Sequence, residues 1–287
     1  MGKHAAIYVA SLLLFGTNGV IAAAVPLQSA QIVMWRTFIG FILLLVLVGL
    51  RRRSRTRARA GRRQRMFVLA SGVCTGLSWV TLYEAYRLVG VGVSSLLYYC
   101  APIVVMVLSV PLFKERFTIR KSVAFCVVLA GVLLVGVQSA TAGGSMWGVL
   151  LAAASALCHA GMVVFSKFAP AVGGIESSCA QLGVSCAIAV PFALLCGNIG
   201  AAFQMDVFGW AALMFLGLAN TGAGCAMYFS SIPKLPAQMV ATLGYLEPMS
   251  AVMFSALLLG ETMSAVQWLG ALMVVGGAAF GERSGRG

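Results

Sequence analysis

The stretch "IGFILLLVLVGL", from Ile39 to Leu50, carries no charge and is followed at once by "RRRSRTRARAGRRQR". Together with the apolar residues back to position 30, it has the length that one helical crossing of a ~30 Å hydrocarbon layer requires, about 20 residues. Runs of this kind recur along the chain, and ten spans are expected, at 5–24, 30–50, 66–86, 92–113, 119–138, 146–166, 175–196, 207–230, 236–258 and 263–281. Links rich in breakers or charge separate them: "VPLQSA", the arginine block, "GVG", "KERFT", "SATAGG", "APAVGG", "GNIG", "PKLP" and "GETMS". The runs far exceed the alternating ~10-residue segments of a membrane barrel, and a helix satisfies its own backbone in lipid. The expected fold class is an all-α polytopic membrane protein. Composition agrees, because 61% of residues are hydrophobic and only 9% charged, where a soluble domain would carry about 25%.

Basic residues set the orientation, since those flanking short loops stay on the cytoplasmic side. With the N-terminus inside, eighteen of the 20 Lys and Arg fall on inside segments, and only Arg36 and Arg87 do not. Both termini are therefore expected in the cytoplasm, with the protein multi-pass in the plasma membrane. Lys3, an apolar stretch and the "AAA" at Ala22–Ala24 imitate a signal peptide. Removing span one would reverse every later loop, so it is expected to be retained.

The net charge of +13 follows from the same topology. The block from Arg51 to Arg65 has no interleaved aromatics on which bases could stack, which argues against nucleic acid as a partner. A cytoplasmic polybasic link beside a span suits contact with anionic lipid. All eight cysteines fall inside expected spans, with no CxxC, so they read as small packing residues and not as disulfides or metal ligands.

An internal repeat organises the rest. "YYCAPIVVMVLSVPLFKE" from Tyr98 returns as "GYLEPMSAVMFSALLLGE" from Gly244: Tyr99, Pro102, Ser109, Leu112 and Glu115 match Tyr245, Pro248, Ser255, Leu258 and Glu261 at a constant offset of 146. Two halves of five spans follow, residues 1–140 and 145–283. Five is odd, so the second half is inverted, the build of alternating-access transporters with a substrate site near the midplane.

These features together resemble the EamA family of the drug/metabolite transporter superfamily: ten spans in two halves, a proline followed thirteen residues later by glutamate in each, and "YLEP…LLLGE" in the second. The resemblance covers essentially the whole chain. It implies export of amino acids, other metabolites or drugs without selecting among them. The halves differ at one level, because Ala101 precedes Pro102 where Glu247 precedes Pro248.

Glu247 lies about eleven residues from either end of span nine, roughly 16 Å deep. An ionisable group at that depth is costly unless it meets a partner or water, and both structural hydrogen bonding and transport chemistry are open to it. His159, the single deep imidazole, belongs to the residue type that titrates near neutrality, although a histidine packed against backbone is the plainer reading. Pro102 and Pro248 each free a carbonyl and bend a helix, with a moving hinge as the sharper alternative. Glu115 and Glu261 are expected to cap their own hairpins beside Thr118 and Ser264. Arg36 and Glu84 lie nearer span ends and are expected to snorkel to the interface.

The candidate substrate cavity gathers Asn18, Trp79, Tyr83, Tyr99, Asn220, Tyr245 and Glu247, with His159, Glu247, Pro102 and Pro248 as coupling or gating residues. Core packing is the plain alternative for each polar or aromatic member. "GVCTG" at 72–76 and "GAAFG" at 277–281 are GxxxG matches for close helix approach. Trp147, Trp210 and Trp268 read as an interfacial belt. The absence of GxSxG, HExxH and P-loop motifs, with two histidines in all, leaves an embedded enzyme few catalytic groups. A gradient-driven exporter of a small amphipathic or zwitterionic metabolite is the leading function, with a lipid-carrier flippase or, behind it, a membrane-embedded enzyme as alternatives. No cofactor or metal is expected, and the chain is expected as a monomer or weak dimer.

Overall fold

The computed structural model describes residues 2–52, 61–101, 104–105, 108, 112, 119–141, 145–169, 172, 174–195, 199–231, 243 and 246–282. Among these residues there is no strand, and the backbone is almost wholly helical. The helices are α1 (Lys3–Gly16), α2 (Asn18–Ala23), α3 (Ser29–Arg52), α4 (Arg62–Val89), α5 (Val91–Tyr98), α6 (Ile119–Thr141), α7 (Met146–Lys167) and α8 (Gly174–Leu195). A 3-10 turn, Ile199–Gln204, leads to α9 (Val207–Phe215), a π-helical segment (Leu216–Ala223) and α10 (Gly224–Ser231). α11 (Leu246–Leu258) and α12 (Ala265–Glu282) complete the described chain.

Among the described residues, six helical stretches are long and apolar enough to cross a membrane: Lys3–Ala23, Ser29–Leu50, Arg62–Val89, Met146–Lys167, Ile175–Leu195 and Val207–Tyr228. These correspond to expected spans one, two, three, six, seven and eight. Shorter apolar helices fall in spans five, nine and ten. Large apolar side chains point outward on several of them, Leu50, Leu157, Leu257 and Leu272 among these, each at least 60% exposed. Such a surface suits hydrocarbon and would be a liability in water. The chain is a multi-pass α-helical membrane protein.

Two expected spans are not single straight helices. In span one, α1 stops at Thr17, whose hydroxyl donates to the Leu14 carbonyl (2.7 Å), and α2 begins at the next residue. Span four is interrupted at Tyr99 and Cys100, which form a turn after α5. Pro102, which follows this turn in the sequence, lies outside the described residues.

Three helix starts are satisfied by side chains, those of α12, α9 and α5. Ser264 and Gln267 make a reciprocal cap on α12: the Ser264 N–H donates to Gln267 Oε1 (2.8 Å), and the Gln267 N–H donates to Ser264 Oγ (3.2 Å). Asp206 caps α9 by accepting from the Gly209 N–H at 2.8 Å. Glu261 caps a different helix from the one expected. Its carboxylate accepts from the N–H groups of Val91 (2.8 Å) and Gly92 (2.9 Å), the first turn of α5. The reason is geometric: α11 lies against α5, so the end of one meets the start of the other. Gly90, at φ +82°, turns the chain from α4 into that site. Glu115 and Thr118 lie outside the described residues.

The closest packing is between α4 and the pair α7 and α8. Ser78 and Ser155 exchange hydroxyl-to-carbonyl hydrogen bonds (2.9 and 2.8 Å), joining α4 to α7. On α4, Gly72 and Gly76 press on α8: a Cβ at either would stand 2.8 Å from Val184 or 2.9 Å from Ile188. The first GxxxG is thus a contact face. Gly277, from the second, meets Val127 and Val128 of α6 in the same way. Trp147 is 62% exposed and Trp268 is 47% exposed, as an interfacial belt requires. Trp210 differs, because it packs edge-on against Trp35 at 6.0 Å.

Candidate functional site

A cavity of about 270 Å³ opens among α1, α3, α4, α5, α7, α8, α10 and α11. Its wall is aromatic and polar. Tyr8 and Phe15 come from α1, Trp79, Tyr83 and Tyr86 from α4, Tyr98 from α5, and Tyr228 from α10. Asn18, Tyr99, His159, Gln181 and Glu247 add polar groups. The tyrosines recur at helical spacing, Tyr83 and Tyr86 three residues apart on one face, with ring centroids 5.2 Å apart.

Arg36 also lines this cavity, and here the structure corrects the sequence reading. The side chain does not snorkel; it is 2% exposed. Nε donates to Thr221 Oγ1 at 2.9 Å, and Nη1 donates to the Tyr83 hydroxyl. The guanidinium stands over the faces of Trp79 (4.7 Å) and Tyr83 (5.0 Å), an attractive arrangement between a cation and the negative face of a ring. Tertiary packing decides this: α3 faces α8 and the π segment, so the Arg36 side of the helix has no route to the surface. Glu84 behaves as expected, forming a half-exposed pair with Arg87 at 3.3 Å.

The π segment explains how Thr221 comes to face Arg36. The Thr221 hydroxyl bonds the Leu216 carbonyl, five residues back, at 2.8 Å, in the register of the wider helix. Glycines let α3 approach closely. A Cβ on Gly217 would stand 2.7 Å from Ile39, and one on Gly222 would stand 2.5 Å from Leu43. Bulges of this kind commonly occur at functional sites, because they re-aim side chains that a regular helix would place elsewhere.

Asn220, the neighbour of Thr221 in the same segment, does not line the cavity. Its Nδ2 donates to the Leu14 carbonyl (2.8 Å), Thr17 Oγ1 (3.0 Å) and Asn18 Oδ1 (3.0 Å). Asn220 therefore fastens the break between α1 and α2. His159 lines the cavity with its Nδ1 2.5 Å from the Tyr98 hydroxyl, their rings meeting edge-on at 4.7 Å. Glu247 sits in the first turn of α11 and faces the same space.

Six residues from the sequence reading are thus gathered in one place: Asn18, Trp79, Tyr83, Tyr99, His159 and Glu247. Tyr245 and Pro102 lie outside the described residues, as does the side chain of Pro248, whose backbone lies in α11. Arg36, Tyr86, Tyr98, Tyr8 and Tyr228 were not anticipated. A signal for Tyr86 was present in its spacing from Tyr83, and for Tyr98 in its place beside Tyr99. Nothing in the chain's spacing ties Tyr8 to Tyr228, whose rings stand 5.4 Å apart. Among the described residues no group of three or more His, Cys, Asp or Glu converges on a metal-sized site.

A helical membrane protein with a buried polar cavity between packed helices is the class this architecture defines. The sequence profile of the EamA-like transporter family matches residues 4–137 and again 146–280, and the chain belongs to that family. An uncharacterized transporter of Bacillus subtilis (strain 168), YxxF, is 22% identical over 95% of this chain and 87% of its own. An uncharacterized transporter of Archaeoglobus fulgidus is 25% identical over 96% of this chain and 94% of its own. A solved structure superposes with a TM-score of 0.65 at 18% identity, covering 99% of this chain and 98% of the other, which shows the fold alone.

Proposed function

We propose that the protein is a secondary active transporter that exports small metabolites, amino acids or related amphipathic compounds, across the plasma membrane by alternating access. The observation that carries this reading is the cavity itself: one permanently charged cation, one carboxyl and one imidazole lie among tyrosines, deep in an apolar helical bundle. Ionisable side chains at that depth ordinarily mark a substrate or ion path. No P-loop is present in the sequence, which favours energy from a gradient or from the substrate itself.

Packing supports two halves related by inversion. α3 pairs with α8, α5 with α11 and α6 with α12, each a member of one half against its counterpart in the other. The contact of α4 with α7 has its counterpart in that of α10 with α1. Glu261, at the end of expected span nine, capping the start of span four, also suits opposite orientations of the two spans. Halves so arranged can rock about a central site.

Reconstituted proteoliposomes test the function. Vesicles preloaded with an unlabelled amino acid should accumulate the labelled compound by counterflow and release it chemically unchanged. Flux of no compound across a broad metabolite panel would sink the transport reading, and recovery of a converted product would replace it with catalysis.

A further inference from the structure

Arg36 is a buried cation for which the described residues supply no counterion. Among the described residues no carboxylate lies within ion-pair distance of it, and the ion pair recorded there joins Glu84 to Arg87 at the periphery. A guanidinium has five N–H donors in a planar fork. Two protein hydroxyls, those of Thr221 and Tyr83, account for Nε and one bond of Nη1. The remaining donors belong to a side chain that lines the cavity. Two rings, Trp79 and Tyr83, pack against the fork. A buried charge without a partner is costly, and arginine does not shed its proton to escape the cost.

We propose that Arg36 is the anchor for a carboxylate group of the transported compound, which places a monoanionic carboxylate with an aromatic or apolar body in this cavity. The planar fork matches a carboxylate in a way that a point charge does not. The aromatic wall suits the body: Trp79 stands against the guanidinium, and Tyr86 and Tyr98 line the same cavity. Glu247 lines the same cavity and disfavours a dianion, which would meet one cation and one carboxyl. The tether to Thr221 gives the site a structural origin, since the π-helical register is what brings that hydroxyl to Nε. This assignment rests on the transport reading for its biological sense, and its test separates the two.

The experiment is calorimetric titration of the purified full-length protein in detergent with matched probes: phenylacetate against phenylacetamide, and phenylalanine against phenylalaninamide. At least one acid should bind about 10-fold or more tightly than its amide, the size expected for charge-assisted hydrogen bonds. Arg36→Gln should abolish the preference, bringing the acid down to the level of its amide. Arg36→Lys, which keeps the charge and loses the fork, should retain part of the preference. Arg36 also ties three helices together, so Arg36→Gln is read only where it elutes as a monodisperse species; the wild-type comparison of acid and amide decides the matter without it. Equal binding of acid and amide, no binding of either acid, or an acid preference that survives in a folded Arg36→Gln overturns the proposal. Acid-selective binding without counterflow leaves the Arg36 site standing and sinks the transport reading. Counterflow restricted to amides or amines does the reverse.

Discussion

Glu247 and Arg36 share one cavity, yet the chemistry open to them differs. Arginine stays charged at any accessible pH, whereas a carboxyl can gain and lose a proton. Glu247 is therefore the candidate for coupling, and its repeat counterpart is Ala101, so no second acid at that level can replace it. Glu247→Gln keeps the shape and one acceptor but cannot exchange a proton. Transport by this variant in proteoliposomes should fall, or lose its dependence on pH, while expression is retained. The other groups lining the cavity that can titrate are His159, Cys225 and the tyrosines, with Arg36 as a fixed charge. An unaltered pH profile would make Glu247 a packing residue and direct attention to His159, which its contact with the Tyr98 hydroxyl already places against the cavity.

At the scale of elements, the helices are defined as much by their interruptions as by their apolar runs. α1 and α2 part at Thr17, α5 ends at a turn before Pro102, and the π segment widens the helix between α9 and α10. At the first and the last of these a threonine hydroxyl donates to a carbonyl of the preceding turn, Thr17 to Leu14 and Thr221 to Leu216. α5 is only eight residues long, too short to be stable by itself, and Glu261 accepts two N–H groups at its start. Glu261→Ala should remove both bonds and the favourable charge at the positive end of the helix, lowering stability by about 1–2 kcal/mol. Thermal unfolding in detergent would register this as a lower midpoint. An unchanged midpoint would mean that packing against α4, α6, α7 and α11 holds α5 without the cap.

For the whole molecule, we propose from the distribution of basic residues that both termini lie in the cytoplasm, and reporter fusions check it. Fusions after Arg65 and at the C-terminus should report cytoplasm, and one within "SATAGG" should report the outside. An external signal from the arginine block would reverse the two halves and remove the argument for inversion. The helical membrane class was legible in uncharged runs of about 20 residues, because lipid offers the backbone no alternative partner. The duplication was legible too, since a constant offset of 146 survives in unrelated surroundings. Six cavity residues were found from depth and residue type, because a polar or aromatic group deep in a span is rare enough to be noticed. Arg36 was misjudged, since depth along a helix says how far a side chain is from the interface but not which way it faces.

Sequence by itself therefore determined the solvent, the helical state and the family, all of which depend on local composition or on direct comparison along the chain. Tertiary structure decided which partner each polar group meets. Glu261 caps α5 and not its own hairpin, Asn220 fastens the α1–α2 break and not a ligand, and Arg36 turns inward to Thr221, Tyr83 and the cavity. These partners lie 169 to 206 residues apart, apart from Tyr83 at 47. The physical reason is that the rotation of a helix about its axis is set by the neighbours it packs against.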